Sequence, residues 1–149
     1  MKKLSPYLTF AGTIPFIVCA LLLALDIDAI RVLGRTEQVL AVYGLVIATF
    51  IAGAHWGNHL SLNDNNTWAF RLPILSNIVA LLLWLGFLSL SVFGFIVLLI
   101  LVFLALLLID YGLHRADIIA KSYFNVRLYV TCIVVISLIV SAFQLEDLL

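Results

Sequence analysis

Apolar residues along this chain come in long unbroken runs, not in the alternation of a half-buried strand or the single stripe of a soluble helix. Five runs stand out, at residues 7–25, 38–57, 72–90, 93–109 and 127–144. Each is long enough to cross a hydrocarbon core about 30 Å thick as a helix rising about 1.5 Å per residue. The third and fourth abut. One helix over both would measure roughly 57 Å, so the chain must turn near Ser89-Leu90-Ser91, ahead of Gly94. The pattern predicts an all-α integral membrane bundle of five transmembrane helices, in one domain covering residues 1–149.

Composition narrows the class further. With 65% hydrophobic and 11% charged residues and a mean hydropathy of +1.24, a soluble fold is excluded. Eight Lys and Arg stand against eight Asp and Glu, which leaves no basic footprint for nucleic acid. Cys19 and Cys132 lie inside apolar runs without C-x-x-C or Cys/His spacing, so no disulfide frame, metal site or cofactor is predicted. Met1-Lys2-Lys3 resembles the start of a signal peptide, but Leu23-Ala24-Leu25 puts leucine where a cleavage site needs small side chains. The first span is therefore expected to be retained.

Lys and Arg at the span ends set direction, because they accumulate on the cytoplasmic side. With the N-terminus inside, Lys2, Lys3, Arg71, Arg115, Lys121 and Arg127 are cytoplasmic and only Arg31 and Arg35 are outside. The expected topology is N-terminus cytoplasmic and C-terminus outside, with the Glu146-Asp147 tail consistent with it. Residues 26–37 space their apolar positions like a short helix lying on the outer surface.

The spans differ in texture. Span two has Ala41, Gly44, Ala48 and Ala52 on one face and Thr49, Gly53 and Gly57 on another; small residues let helices approach closely in lipid, so a central helix with neighbours on both sides is expected. Span four, Phe95 to Leu104, is bulky all round and reads as a peripheral helix bathed in lipid. Pro15, after Gly12-Thr13, predicts a kink in span one. Its freed carbonyl is either satisfied by packing, the leading reading, or offered to a ligand. Pro73 reads as the first-turn proline of span three, and Asn77 as glue between helices.

In this topology the polar ends of spans two to five share one membrane surface. It gathers His55, Trp56, Asn58, His59, Arg71, Asp110, His114, Arg115 and Arg127, with Tyr111, Tyr123 and Tyr129 beside them. His55 and His59, four apart, share a helix face; the plain reading is an interfacial pair, the sharper one a proton or ligand site. Two histidines one turn apart cannot be the two axial ligands of one haem, and H-x-x-x-H without a neighbouring Glu is not the metalloprotease pattern. Asp110 ends an apolar run, where a bare carboxylate is costly. Arg127 is the natural partner, with Arg71 the alternative. A structural ion pair leads over a proton relay or an anion site, and a basic layer also suits lipid phosphates. Trp56 and Trp68 read as interfacial anchors. No catalytic constellation can be assembled, so no enzyme is expected.

Ala11-Gly12-Thr13-Ile14-Pro15-Phe16 and Tyr43-Gly44 through His55-Trp56-Gly57, followed by Leu72-Pro73, Trp84, Asp110 and the segment from Tyr123 to Arg127, resemble domain of unknown function 3429, whose animal members are called transmembrane protein 69. The resemblance covers nearly the whole chain. It implies a small multi-span protein of bacterial inner membranes with relatives in mitochondria, leaves the activity open, and draws attention to Gly12, Pro15, Tyr43, Gly44, Gly53, His55, Trp56, Gly57, Asp110 and Arg127.

The leading expectation is a non-enzymatic scaffold or accessory protein that binds membrane lipids, a membrane-protein partner or a second copy of itself. A small transporter or proton-coupled carrier using His55, His59, Asp110 and Arg127 comes second. A haem- or quinone-linked redox protein comes third.

Overall fold

A computed structural model describes residues 5–146; Lys2, Lys3, Asp147 and the Glu146 side chain lie outside what it describes. The helices are α1 (Ser5–Ala11), α2 (Ile14–Ala24), α3 (Thr36–His59), α4 (Thr67–Ser89), α5 (Val92–Arg115) and α6 (Lys121–Glu146), with a two-stranded hairpin of β1 (Ala29–Ile30) and β2 (Gly34–Arg35) between α2 and α3. Five stretches are long and apolar enough to cross a membrane, α1 and α2 together making the first. The spans reach beyond the apolar runs. Helix α4 begins at Thr67, α5 continues to Arg115 and α6 begins at Lys121, because hydropathy marks only the apolar part of a helix whose ends are polar.

Spans three and four turn as a hairpin at Leu90-Ser91. Ser91 caps α5, its Oγ accepting from the Gly94 backbone N–H at 3.2 Å, and Asn66 caps α4 by accepting from Trp68 N–H at 3.0 Å. Two other helix ends use a left-handed aspartate. Asp26 and Asp117 have φ of 57° and 55°, and the next residue in each case, Ile27 or Ile118, bonds back to Leu22 or Leu113. This Schellman closure needs a residue that tolerates positive φ, and aspartate does so better than most.

The segment expected as a surface helix is thus a β-hairpin. The Asp26 closure ends α2, Ala29 pairs with Arg35 and Ile30 with Gly34, and Gly34, the first residue of β2, takes φ 95° as the chain leaves the turn. Thr36, fully buried, ties the hairpin to α3 by donating twice, from its N–H to Asp28 O and from its hydroxyl to Ile27 O, both at 2.8 Å. Apolar spacing over so few residues does not distinguish a helix from a twisted ribbon.

Helix α3 touches α2, α4 and α5, while α5 touches α3, α4 and α6; α2 and α6 close the other side. The expectation of a lipid-bathed span four is therefore overturned. Phe95, Ile96, Leu99, Val102, Phe103 and Leu106 of α5 are all buried. Against lipid, apolarity no longer separates inside from outside, and what decides is fit against a neighbour. Bulky α5 finds small partners: a Cβ on Gly44 of α3 would come within 2.5 Å of a Leu99 methyl, and one on Gly86 of α4 would overlap Leu98.

Span two is half as expected. Ala41, Gly44, Ala48 and Ala52 are buried, but nothing stands within 4 Å of a Cβ built on Gly53 or Gly57, and the Thr49 hydroxyl turns back to its own helix at Leu45 O. Only one small-residue face is used within the chain. In span one the helix breaks at Gly12-Thr13, and Tyr43 of α3 donates its hydroxyl to Gly12 O at 3.0 Å, so a side chain from a neighbouring span satisfies a carbonyl at the break. Pro73 is not a first-turn proline: it lies inside α4. Asn77 donates to Pro73 O in its own helix at 2.9 Å, and the bond between helices is made instead by Ser76, whose Oγ donates to Ala52 O of α3.

Candidate functional site

The ends of α3 and α5 and the start of α6 lie at the same end of the bundle, and one polar residue from each meets the others. Asp110 of α5 accepts from Arg127 Nε at its Oδ2, 2.8 Å away, and lies 2.8 Å from His55 Nε2 through its Oδ1. All three are buried, with 1%, 5% and 2% of Asp110, Arg127 and His55 exposed. Because α6 begins at Lys121, Arg127 is almost two turns inside the helix rather than at its mouth, roughly 9 Å along the axis. It does not snorkel to the interface. Its charge is held at depth by a carboxylate from the adjoining helix.

The remainder of the expected cluster does not converge there. His59 turns its Nδ1 to the Trp56 carbonyl and sets its ring against the Trp56 ring, 5.1 Å between centroids. The helix-face pair of histidines is therefore split, His55 buried and His59 at the rim. Trp56 is exposed. Arg71 is exposed and lies over the Trp68 ring at 6.0 Å, Arg115 donates to the Tyr111 hydroxyl at 3.3 Å, and His114 stacks on Phe124. Trp68 also packs against a close helix approach, since a Cβ on Gly112 would come within 2.6 Å of its ring. Among the described residues no three His, Cys, Asp or Glu side chains come together as metal ligands.

Beside the triad lies a cavity of about 870 Å³ bounded by α1, α2, α3, α5 and α6. Its walls are mostly apolar, with Leu8, Phe16, Phe50, Ile51, Phe103 and Val134 among them, and its polar wall carries Arg127, Thr131 and Tyr123. Leu8 and Phe50 are strongly exposed, so the cavity opens sideways on the apolar surface of the bundle. Among the described residues, three buried side-chain polar atoms have no hydrogen-bond partner: His55 Nδ1, Arg127 Nη2 and Thr131 Oγ1. Thr131 had no distinguishing mark in the sequence except its position one turn after Arg127, which puts both on one face of α6.

A helical bundle that spans a membrane five times, with a charged triad and a cavity at one end, defines the class: a polytopic membrane protein. The chain belongs to the family described as Protein of unknown function (DUF3429), whose sequence profile matches residues 1–143. No curated protein and no solved structure is significantly similar to it.

Proposed function

We propose that this protein is a non-enzymatic accessory protein of the bacterial inner membrane that holds a membrane amphiphile between its helices. The cavity of about 870 Å³ carries this reading. Its volume falls in the range of roughly 300–1,000 Å³ usual for small-molecule sites, and such sites are apolar with few polar groups. Its lateral opening at Leu8 and Phe50 gives access from lipid rather than from water. The triad supports the reading by its geometry: both Asp110 oxygens are engaged by His55 and Arg127, which fixes α3, α5 and α6 around the cavity without presenting a free nucleophile.

Native mass spectrometry of the protein gently extracted from its own membrane tests this. The expected result is a reproducible added mass corresponding to a lipid-like molecule. A bare chain under conditions that preserve lipid on a control membrane protein would remove the reading.

The proposed topology places the triad on the cytoplasmic side. With Cys19 and Cys132 replaced by serine, single cysteines at Asn65 and Ser122 should label from the cytoplasm and one at Arg35 from outside. The reverse pattern would invert the protein.

One observation favours a second reading. His55 Nδ1 has no partner in a triad of ionisable groups deep within the spans, as a proton-coupled carrier would require. Proton flux in liposomes that is lost in Asp110→Asn and His55→Ala would favour this carrier over the accessory role, and the same flux in parent and variants would dispose of it.

A further inference from the structure

Arg127 and Thr131 have two properties in common that the apolar walls do not. Both side chains line the cavity, and each carries a buried polar atom with no hydrogen-bond partner. Arg127 is 5% exposed and Thr131 1%, so these are not surface groups turned to solvent. Buried polar atoms without partners are uncommon, and two of them one helical turn apart beside an apolar cavity mark a place where an acceptor is missing.

The charges at the site limit what that acceptor is. The Arg127 guanidinium is already matched by the Asp110 carboxylate at 2.8 Å. A carboxylate or phosphate added beside them would leave the buried layer with one excess negative charge unless His55 took a proton, and burying an unmatched charge is strongly unfavourable. An uncharged carbonyl oxygen brings acceptor lone pairs and no charge. It also suits the donor inventory, because guanidinium N–H groups only donate and the threonine hydroxyl is free to rotate and donate.

We propose that the cavity binds one amphiphile through an uncharged carbonyl oxygen, which accepts hydrogen bonds from Arg127 Nη2 and Thr131 Oγ1 while the hydrocarbon part lies against Phe16, Phe50, Phe103 and Val134. This rests on the lipid-binding reading above and specifies its chemistry. Both donor atoms are closed off from the cavity as they stand, so binding requires two movements. The Thr131 side chain rotates about its first torsion, and the rigid, planar Arg127 guanidinium pivots as a whole, keeping an N–H on Asp110 while another turns to the oxygen. An ester-linked glycerolipid and an isoprenoid quinone both bring such a carbonyl.

The test uses the purified, delipidated full chain and four probes: an ester-linked phosphatidylcholine, its ether-linked analogue, a short-chain alkyl benzoquinone and oleate. Binding is read by retained mass and by thermal shift. The ester lipid, the quinone or both should bind, with the ether analogue and oleate roughly tenfold weaker or more. Which of the two binds identifies the source. Thr131→Val, nearly isosteric and remote from the Asp110 bonds, should weaken the carbonyl probe by roughly five- to tenfold and leave the ether analogue unchanged. It should also raise the melting temperature of the delipidated protein, since it deletes an unpartnered hydroxyl.

Equal binding of ester and ether lipids, an unaffected Thr131→Val variant, or tightest binding of oleate would each overturn the carbonyl site while leaving an amphiphile-binding cavity standing. Absence of binding by all four probes would remove both the carbonyl site and the lipid-binding reading.

Discussion

Two ion pairs stand at opposite ends of the bundle, and they do different work. Arg35 and Glu37 pair across the start of α3, two residues apart in sequence, with the Arg35 side chain 70% exposed and that of Glu37 6%. Asp110, Arg127 and His55 come from three different helices and are almost completely buried. The first pair shapes a turn that its own backbone already fixes through Thr36. The second joins spans that are far apart in the chain. A charge pair matters to this fold in proportion to its burial and to the number of helices it joins, not to its mere presence.

Removing one partner of the buried set should therefore have the largest effect. Asp110→Ala leaves the Arg127 guanidinium buried without a counter-charge and should cost about 3–5 kcal/mol in unfolding measured in detergent. Asp110→Leu with Arg127→Met should recover most of that loss; if the double variant is no better than the single one, charge compensation is not what the triad supplies. Gly44→Leu comes next. Its side chain would collide with Leu99, force α3 from α5 and so lengthen the His55–Asp110 bond, at about 1–3 kcal/mol. Arg35→Gln should cost about 1 kcal/mol, because the solvated rim and a glutamine amide that still donates leave the buried Glu37 carboxylate partnered, and added salt should shrink the difference from the parent. An Arg35 effect equal to that of Asp110 would erase the contrast between the two pairs. At the bottom lies Gly53→Leu, which meets open space and should change stability by no more than about 0.5 kcal/mol.

Much of the architecture was legible because the solvent is a bilayer. Its thickness sets the length of each apolar run, and a run twice that length has to turn, as it does at Leu90-Ser91. The need of Asp110 for a cation could be read from a carboxylate ending an apolar segment, and Arg127 supplies it. What stayed hidden was which way residues face. In water, polarity marks the exposed side of a helix; here Leu99 of α5 is buried and Leu101 is exposed, and no letter in the sequence separates them. The same blindness joined His55 to His59, whose side chains part because only the first faces α5. It also passed over Thr131, whose burial depends on helices distant in sequence. The hairpin at residues 29–35 was missed for a local reason: Asp26 stops α2 by taking a left-handed conformation, and an aspartate in an apolar flank reads first as surface charge.

The triad has a history as well as a geometry. The chain is made from its N-terminus, so His55 is in place first, Asp110 enters the membrane second, and Arg127 emerges last. During synthesis the carboxylate reaches the membrane before its guanidinium partner, with His55 the one member of the triad already made. The last span is thus the one that completes the insertion of the fourth, and a ribosome stalled between the two should leave α5 shallow in the membrane, its aspartate still reachable from water.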